Sequence, residues 1–108
     1  MSGLYGALGL AKRAGKLRAG DYAVKESLAK SRARLVLMDE RLSANAAGKL
    51  RSMCESGSVC WAVLPEGTIG GAIGKAGCMM AAVEDEAFAK RLSAMAAQES
   101  GYQAQQRV

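Results

Sequence analysis

The sequence predicts an α/β domain in which a sheet of about four strands carries helices on both faces. Two observations lead to this fold class. Short apolar runs typical of buried strands alternate with segments whose apolar residues recur every three or four positions, which is typical of helices. The chain has 108 residues and is 50% apolar, which is enough for one domain with its own core.

A helix and a short strand are predicted first. Leu4, Leu8 and Ala11 recur at the spacing of one helical face, so we predict an opening helix that ends near Gly15. Residues 16–19 follow this helix and are predicted to form an edge strand.

A second helix and a buried strand are predicted next. Gly20 and Asp21 are residue types that open helices, and Val24 and Leu28 are spaced to point inward from the helix that follows. The apolar run 35–38 has no polar alternation, which predicts a strand buried on both faces.

The same alternation repeats in the second half of the chain. Ser43 is a predicted N-cap, and Gly57 ends the helix that Ser43 begins. Residues 59–64 are predicted to form a second buried strand, residues 68–75 a short glycine-rich helix and residues 79–83 a third buried strand.

The last predicted element is a helix. Phe88, Leu92 and Met95 form its apolar stripe. The chain is polar and lacks such a stripe beyond this helix, so we predict a single domain over residues 1–97 and a frayed polar tail over residues 98–108.

The composition argues against an enzyme and against a metal site. The chain contains no His, the residue most often used for proton transfer near neutral pH and for metal ligation. Cys54, Cys60 and Cys78 are odd in number and lack Cys-x-x-Cys spacing, so we interpret them as small buried apolar residues. We therefore expect no catalytic residue, no metal and no cofactor.

Membrane and export signals are not expected either. The longest apolar run, residues 78–83, is far shorter than the roughly 20 residues of a membrane span. Lys12 and Arg13 end the N-terminal apolar stretch before it reaches the length of a signal peptide. We expect a cytoplasmic protein without a membrane partner.

Positive charge is concentrated in one half of the sequence. The formal net charge is +5, but residues 1–51 carry eleven Lys and Arg against four Asp and Glu, or +7, and the remainder carries −2. Such a basic half is expected of a protein that binds a polyanion. A solvated, solubilising face is an equally good interpretation of the composition alone.

A basic cluster precedes the turn at Gly20. Its charges could flank the N-terminus of the second helix, where amide donors and the helix dipole favour phosphate. The cluster consists of Lys12, Arg13, Lys16 and Arg18.

Two further motifs do not support a specific chemistry. Gly70, Gly71 and Gly74 precede Lys75, but Ile69 and Ala76 occupy the positions where a phosphate-binding loop requires Gly and Ser or Thr. The adjacent acids at positions 39 and 40 follow a buried strand and could act as an acid/base or magnesium pair. An adjacent acidic pair is most often a solvated turn, which we expect here.

Several segments resemble the YlxQ-like bacterial branch of the L-seven-Ae ribosomal-protein superfamily. The likeness runs from about Leu4 to Leu92. The two most specific parts are the opening motif Leu-Ala-x-Arg-Ala-Gly-Lys-Leu and the helix Ile-Gly-x-Ala-Ile-Gly-Lys before a Val-x-Asp segment. The matching segments are residues 8–17, 34–37, 69–75 and 81–89.

This resemblance implies a fold and a function. The fold is a three-layer α/β/α sandwich around a four-stranded mixed sheet, and members bind structured RNA, typically kink-turns. The turn and helix N-terminus that correspond to residues 20–26 enter the kinked RNA. The loop that corresponds to residues 64–68 covers a flipped-out nucleotide.

The residues that read the RNA differ from the family pattern. Tyr22 stands at the Asn position, Ala23 at the Glu position and Glu26 at the Lys position. Tyr22 either stacks on an unpaired base or only covers the helix end.

The resemblance and the charge together predict an RNA-binding protein of ribosomal-protein type. The alternative is a protein-interaction module that kept the fold and lost specific RNA recognition. The predicted RNA-binding residues are Lys12, Arg13, Lys16, Arg18, Gly20, Asp21, Tyr22, Lys25, Leu64 and Pro65.

Overall fold

The structure, a computed structural model, describes residues 3–100, with side chains described for residues 3–98. Within this range the chain forms five helices and four strands. The helices are α1 (Gly3–Arg13), α2 (Asp21–Ala29), α3 (Ala44–Ser56), α4 (Thr68–Ile73) and α5 (Glu86–Ser100). The strands are β1 (Leu17–Ala19), β2 (Leu35–Asp39), β3 (Cys60–Leu64) and β4 (Met80–Val83).

All four strands join one mixed sheet in the order β1-β4-β2-β3. Strands β2 and β3 pair in parallel, with Leu35 opposite Cys60, whereas β4 runs antiparallel to both β1 and β2. Strand β1 is therefore an edge strand, as predicted. The predicted four-stranded mixed sheet is confirmed.

Alternate residues of the central strand face opposite sides of the sheet. In β2, Leu35 and Leu37 pack into a core with α1, α4 and α5, whereas Val36 and Met38 pack into a second core with α2 and α3. Because helices cover both faces, the strand can be apolar throughout. The fold is the three-layer α/β/α sandwich that the resemblance implies.

The common direction of β1, β2 and β3 gives the sheet two different ends. At the carboxyl end, where these strands finish, the Gly20 amide donates to the Met80 carbonyl over 3.1 Å. At the amino end, where they begin, the Glu84 amide donates to the Lys16 carbonyl over 2.8 Å. Met80 and Glu84 lie four positions apart on an extended segment, so the two ends are about 13 Å apart.

Short polar side chains begin two of the helices. The Ser43 hydroxyl accepts a hydrogen bond from the Ala46 amide over 3.1 Å, which confirms Ser43 as the N-cap of α3. At the start of α5, the Asp85 carboxylate accepts from the Phe88 amide over 2.9 Å. These bonds satisfy amide groups that have no partner inside their helices.

The glycine-rich helix α4 is shorter than predicted. It ends at Ile73 because Gly74 adopts a left-handed conformation with φ +72°. The chain then folds back so closely that a Cβ at Gly70 would lie 2.8 Å from the Lys75 carbonyl oxygen. A side chain at Gly70 would therefore force the backbone apart.

Helix α5 is longer than its apolar stripe predicts. It continues to Ser100, so residues 98–100 of the predicted frayed tail are helical. The rest of that tail, residues 101–108, lies outside the described residues. The domain boundary at residue 97 stays a prediction.

The three cysteines are free thiols that differ in burial. Cys54, on the inner face of α3, is completely buried, as predicted, and this burial raises the pKa of its thiol to about 12. Cys60 and Cys78 are only partly buried, so the expectation of burial is wrong for both. Cys60 begins a strand at the border of the sheet, and the Cys78 thiol donates to the Met80 carbonyl over 3.3 Å.

Alkylation of the native protein should distinguish these thiols. We expect Cys54 to react more slowly than Cys60 and Cys78, because the thiolate is the nucleophile and burial disfavours it. Peptide mass spectrometry after timed exposure to iodoacetamide at about pH 8 measures the three rates, and the urea-unfolded protein is the control. Equal rates for Cys54 and Cys60 in the native protein would contradict the packing described for α3.

Candidate nucleic-acid interface

The N-terminus of α2 lies open at the carboxyl end of the sheet. Gly20 precedes the helix with φ +101°, a conformation that a residue with a Cβ rarely adopts. No side chain caps the first amide groups of α2, and Val24 anchors the helix in the core. The Tyr22 side chain is 75% exposed. The turn therefore presents free amide donors beside an accessible aromatic ring.

Lys25 lies on this helix but is paired. Its Nζ lies 3.1 Å from the Asp21 carboxylate, and both side chains are exposed. An exposed pair of this kind contributes little to stability and can be exchanged for a phosphate contact. Asp21 and Lys25 thus lie on the first turns of α2 with their charges balanced against each other, and their contact with RNA stays a prediction.

Glu26 organises the charges on the next turn of α2. Its carboxylate accepts from Arg18 over 3.0 Å, from Lys30 over 3.3 Å and from the Tyr22 hydroxyl over 3.3 Å. These donors, Arg18 first, lower the pKa of Glu26. Arg18 also lies 4.0 Å from Glu84. Two carboxylates thus hold the Arg18 guanidinium on the α2 side of β1, and its predicted contact with phosphate stays a prediction.

Asp39 and Arg41 form a second polar cluster at the same end of the sheet. Asp39 is 1% exposed. Its carboxylate accepts from Arg41 Nε over 3.0 Å and Nη2 over 2.9 Å, and from the amides of Arg41 and Gly67 over 2.8 and 2.9 Å. The Arg41 side chain, followed by these amides, lowers the pKa of Asp39 to about 2 although burial opposes the shift.

The interpretation of the acidic pair as a solvated turn is wrong for Asp39. Asp39 is the last residue of β2, and its buried carboxylate accepts hydrogen bonds from two loops. Glu40 is exposed, and its carboxylate accepts from the Glu66 amide over 2.9 Å. In the part of the chain that the structure describes, no group of three or more Cys, Asp or Glu side chains is arranged to hold a metal ion.

Arg41 is the site residue that the sequence analysis missed. Its side chain borders an open hollow of about 450 Å³ beside α4, and the rest of the lining is small. A guanidinium beside a wall of glycines can approach a planar base or a phosphate closely. The only signal in the sequence is an Arg two positions after an Asp that ends a buried strand. The other lining residues are Gly67, Gly70, Gly71, Gly74, Ala76 and Gly77.

Leu64 and Pro65 have different environments. Leu64 is the last residue of β3 and is fully buried in the core with α1 and α5. The prediction that its side chain faces a splayed base is therefore wrong. Pro65 is exposed and begins a turn in which its carbonyl accepts from the Thr68 amide over 3.1 Å.

The basic residues that end α1 do not flank α2. Lys12, Arg13 and Lys16 are exposed at the amino end of the sheet, whereas α2 begins at the carboxyl end. Strand β1 carries the chain from one end to the other. The expectation that this cluster flanks the turn at Gly20 is wrong for Lys12, Arg13 and Lys16, because β1 lies between these residues and the turn.

The carboxyl end itself is not basic. Its described charged side chains at the turn and in the β2–α3, β3–α4 and α4–β4 loops give a net formal charge of −1. They are Lys25, Arg41 and Lys75 against Asp21, Asp39, Glu40 and Glu66. Any RNA contact at this end must therefore depend on stacking, hydrogen bonds and shape more than on net charge.

Comparison with known proteins identifies the family. The chain is 37% identical over 95 residues to the RNA-binding protein YlxQ of Bacillus subtilis, which covers 85% of this chain and 95% of that protein. The chain belongs to the YlxQ-like branch of the L-seven-Ae ribosomal-protein family. This confirms the resemblance found in the sequence. A search of family models gave no match.

A solved structure agrees with this membership. A protein of unknown function from Bacillus halodurans superimposes with a TM-score of 0.79 at 28% identity, over 88% of this chain and 97% of that one. The two proteins thus share one fold along nearly the whole length of the Bacillus halodurans protein. None of the helices between residues 3 and 100 is long and apolar enough to span a membrane.

The Asp39 cluster predicts a specific loss of stability in acid. The folded pKa of about 2 lies below the ordinary value of 3.8, so the ionised carboxylate contributes about 2 kcal/mol above pH 3.8, and this is lost as the pH falls towards 2. Urea unfolding measures the free energy of unfolding of the wild type and of Asp39→Asn. The difference between these two free energies should be about 1.5 kcal/mol smaller at about pH 2.5 than at about pH 6.

A control corrects this measurement for general charge effects. Glu55→Gln removes one exposed carboxylate and changes the charge equally. A difference between wild type and Asp39→Asn that stays constant with pH, after this correction, would contradict the role given to Asp39.

Proposed function

We propose that this chain is an RNA-binding protein without enzymatic activity that binds structured RNA of the kink-turn type at the carboxyl end of its sheet. The observation that carries the proposal is the 37% identity to a protein named for RNA binding, which extends over most of both chains. We further propose a cytoplasmic location, since three free thiols suit a reducing compartment.

The contacts in this proposal come from two features of the carboxyl end. The uncapped amides of α2 donate to a phosphate or base edge, and the Tyr22 ring stacks on an unpaired base. Arg41 and the glycine-lined hollow receive a second, splayed nucleotide beside Pro65. Asp39 acts as a positioning residue, because it fixes the Arg41 guanidinium from below.

The same geometry favours tolerant rather than strict recognition. Ala23 has no side-chain acceptor for a guanine edge, and Glu26 is committed to Arg18 and Lys30. Stacking does not discriminate strongly among bases, because every base has an aromatic face. We therefore propose that the shape of the RNA counts for more than its sequence at the kink.

One observation favours a protein-interaction module as the second candidate. The carboxyl end carries a net formal charge of −1, which does not attract a phosphate backbone. The two candidates differ in a simple titration. An RNA-binding protein should prefer a kink-turn RNA to a straight duplex at equal salt, whereas an interaction module should bind neither in a shape-dependent manner.

Tyr22 provides the first test of the proposed contacts. Tyr22→Ala should weaken binding to a kink-turn RNA by about 1–3 kcal/mol, roughly 5- to 150-fold, because the stacking surface is lost. Tyr22→Phe should retain most of the affinity, since it keeps the ring and loses only the hydroxyl bond to Glu26. Fluorescence anisotropy with labelled RNA measures both.

A straight RNA duplex is the control ligand for both Tyr22 variants. The affinity of either variant for the duplex should differ little from that of the wild type. The stacking role of Tyr22 would be excluded if Tyr22→Ala, shown to be folded by circular dichroism, bound the kink-turn as tightly as the wild type.

Restoring two of the family's reading residues provides the second test. Tyr22→Asn with Ala23→Glu should raise the affinity for a kink-turn relative to a duplex, because donors and acceptors matched to purine edges return. The Glu26 network stays intact in this variant. Its charge change is −1, so electrostatics alone would weaken binding to both RNAs. Equal weakening in parallel titrations would show that this turn does not enter the kink.

A further inference from the structure

The amino end of the sheet carries a group of cations that the proposed interface does not use. We define this amino-end surface by Lys12, Arg13 and Lys16, all of which are exposed. Within residues 3–98, none of the three forms an ion pair. Lys12 and Arg13 end α1, where the helix dipole favours cations. Lys16 lies beyond the helix, so the dipole does not explain a cation there.

The acids nearest to this surface are already engaged elsewhere. Glu84 donates its amide to the Lys16 carbonyl, but its carboxylate accepts from the Ser27 hydroxyl over 2.6 Å on the α2 side of the sheet. Asp85 accepts from the Phe88 amide, and Glu86 lies 3.9 Å from Arg34. Within residues 3–98, no ion pair joins these three carboxylates to Lys12, Arg13 or Lys16.

The amino-end surface lies about 13 Å from the carboxyl end along β4, at the opposite end of the strands. Among the described residues its three cations form no ion pair, whereas the carboxyl end has a net formal charge of −1. We therefore expect a phosphate backbone to be attracted more strongly to the amino-end surface than to the carboxyl end.

We propose that the amino-end surface is a second RNA-binding surface, which takes the phosphate backbone of a duplex segment, so that one chain holds two RNA segments together. The inference rests on the proposed function. A nucleic-acid backbone is the favoured occupant because charge alone suffices to bind it. Only Ala14 and Gly15 separate Arg13 from Lys16, and Leu10, one turn earlier on α1, is 45% exposed, so the apolar area open to a protein partner is small.

A bridging experiment tests this surface. Kink-turn RNA is immobilised and saturated with the full chain, and a fluorescent straight duplex is then added. We expect the wild type to retain the duplex. Lys12→Gln with Lys16→Gln should lower this retention about tenfold or more and reduce the slope of log affinity against log salt by about 1.8, because two phosphate contacts are lost. Kink-turn affinity should stay within about twofold.

A charge-matched variant controls for the loss of two cations. Lys49→Gln with Arg51→Gln removes the same charge from α3, which packs on the opposite face of the sheet from α1. This control should retain the duplex as the wild type does. Equal loss in both double variants would overturn the proposal, since the effect would then follow net charge and not this surface.

The remaining outcomes separate the two proposals. A wild type that binds the kink-turn without retaining the duplex would reject the second surface and leave the proposed function intact. A Lys12 and Lys16 variant that loses kink-turn affinity to the same degree would show one continuous site and overturn the bridging proposal. Failure of the wild type to bind either RNA would reject the proposed function itself.

Discussion

A buried carboxylate at the end of the central strand holds the carboxyl end of this protein together. Asp39 is the last residue of β2, and its two oxygens accept from Arg41 in the following loop and from the Gly67 amide before α4. Burial of an ionised carboxylate is costly unless it is fully hydrogen-bonded, so the surrounding loops are constrained to supply donors. The position of Arg41, the turn at Gly67 and the hollow beside α4 all depend on this one group.

The direction of the strands explains how charge is distributed over the surface. A three-residue strand is enough to carry the chain from the basic end of α1 to the open turn before α2. Because β4 runs antiparallel between β1 and β2, the acids that follow it return to the amino end, where helix capping and ion pairs engage them. The cations at the end of α1 are left accessible as a consequence.

Glu26 shows how one substitution relative to the family pattern is absorbed by its surroundings. Its carboxylate binds two cations and the Tyr22 hydroxyl, and its ionised form is favoured by all three. A Lys at this position would face Arg18 and Lys30 instead. The change at residue 26 is therefore tied to its neighbours on β1 and α2, whereas Tyr22 and Ala23 can vary independently of that network.

The sequence by itself determined the order of the elements, the mixed α/β class and the family, because the period of apolar residues and the turn motifs are local properties. The apolar run of β2, the Ser43 cap and the edge position of β1 could all be predicted in this way. Only the tertiary structure decided which charges share a surface. Leu64 is buried, Arg18 is paired with Glu26, and Lys16 lies away from Gly20. The buried Asp39 carboxylate accepts hydrogen bonds from two loops. These outcomes depend on contacts between segments that are remote along the chain.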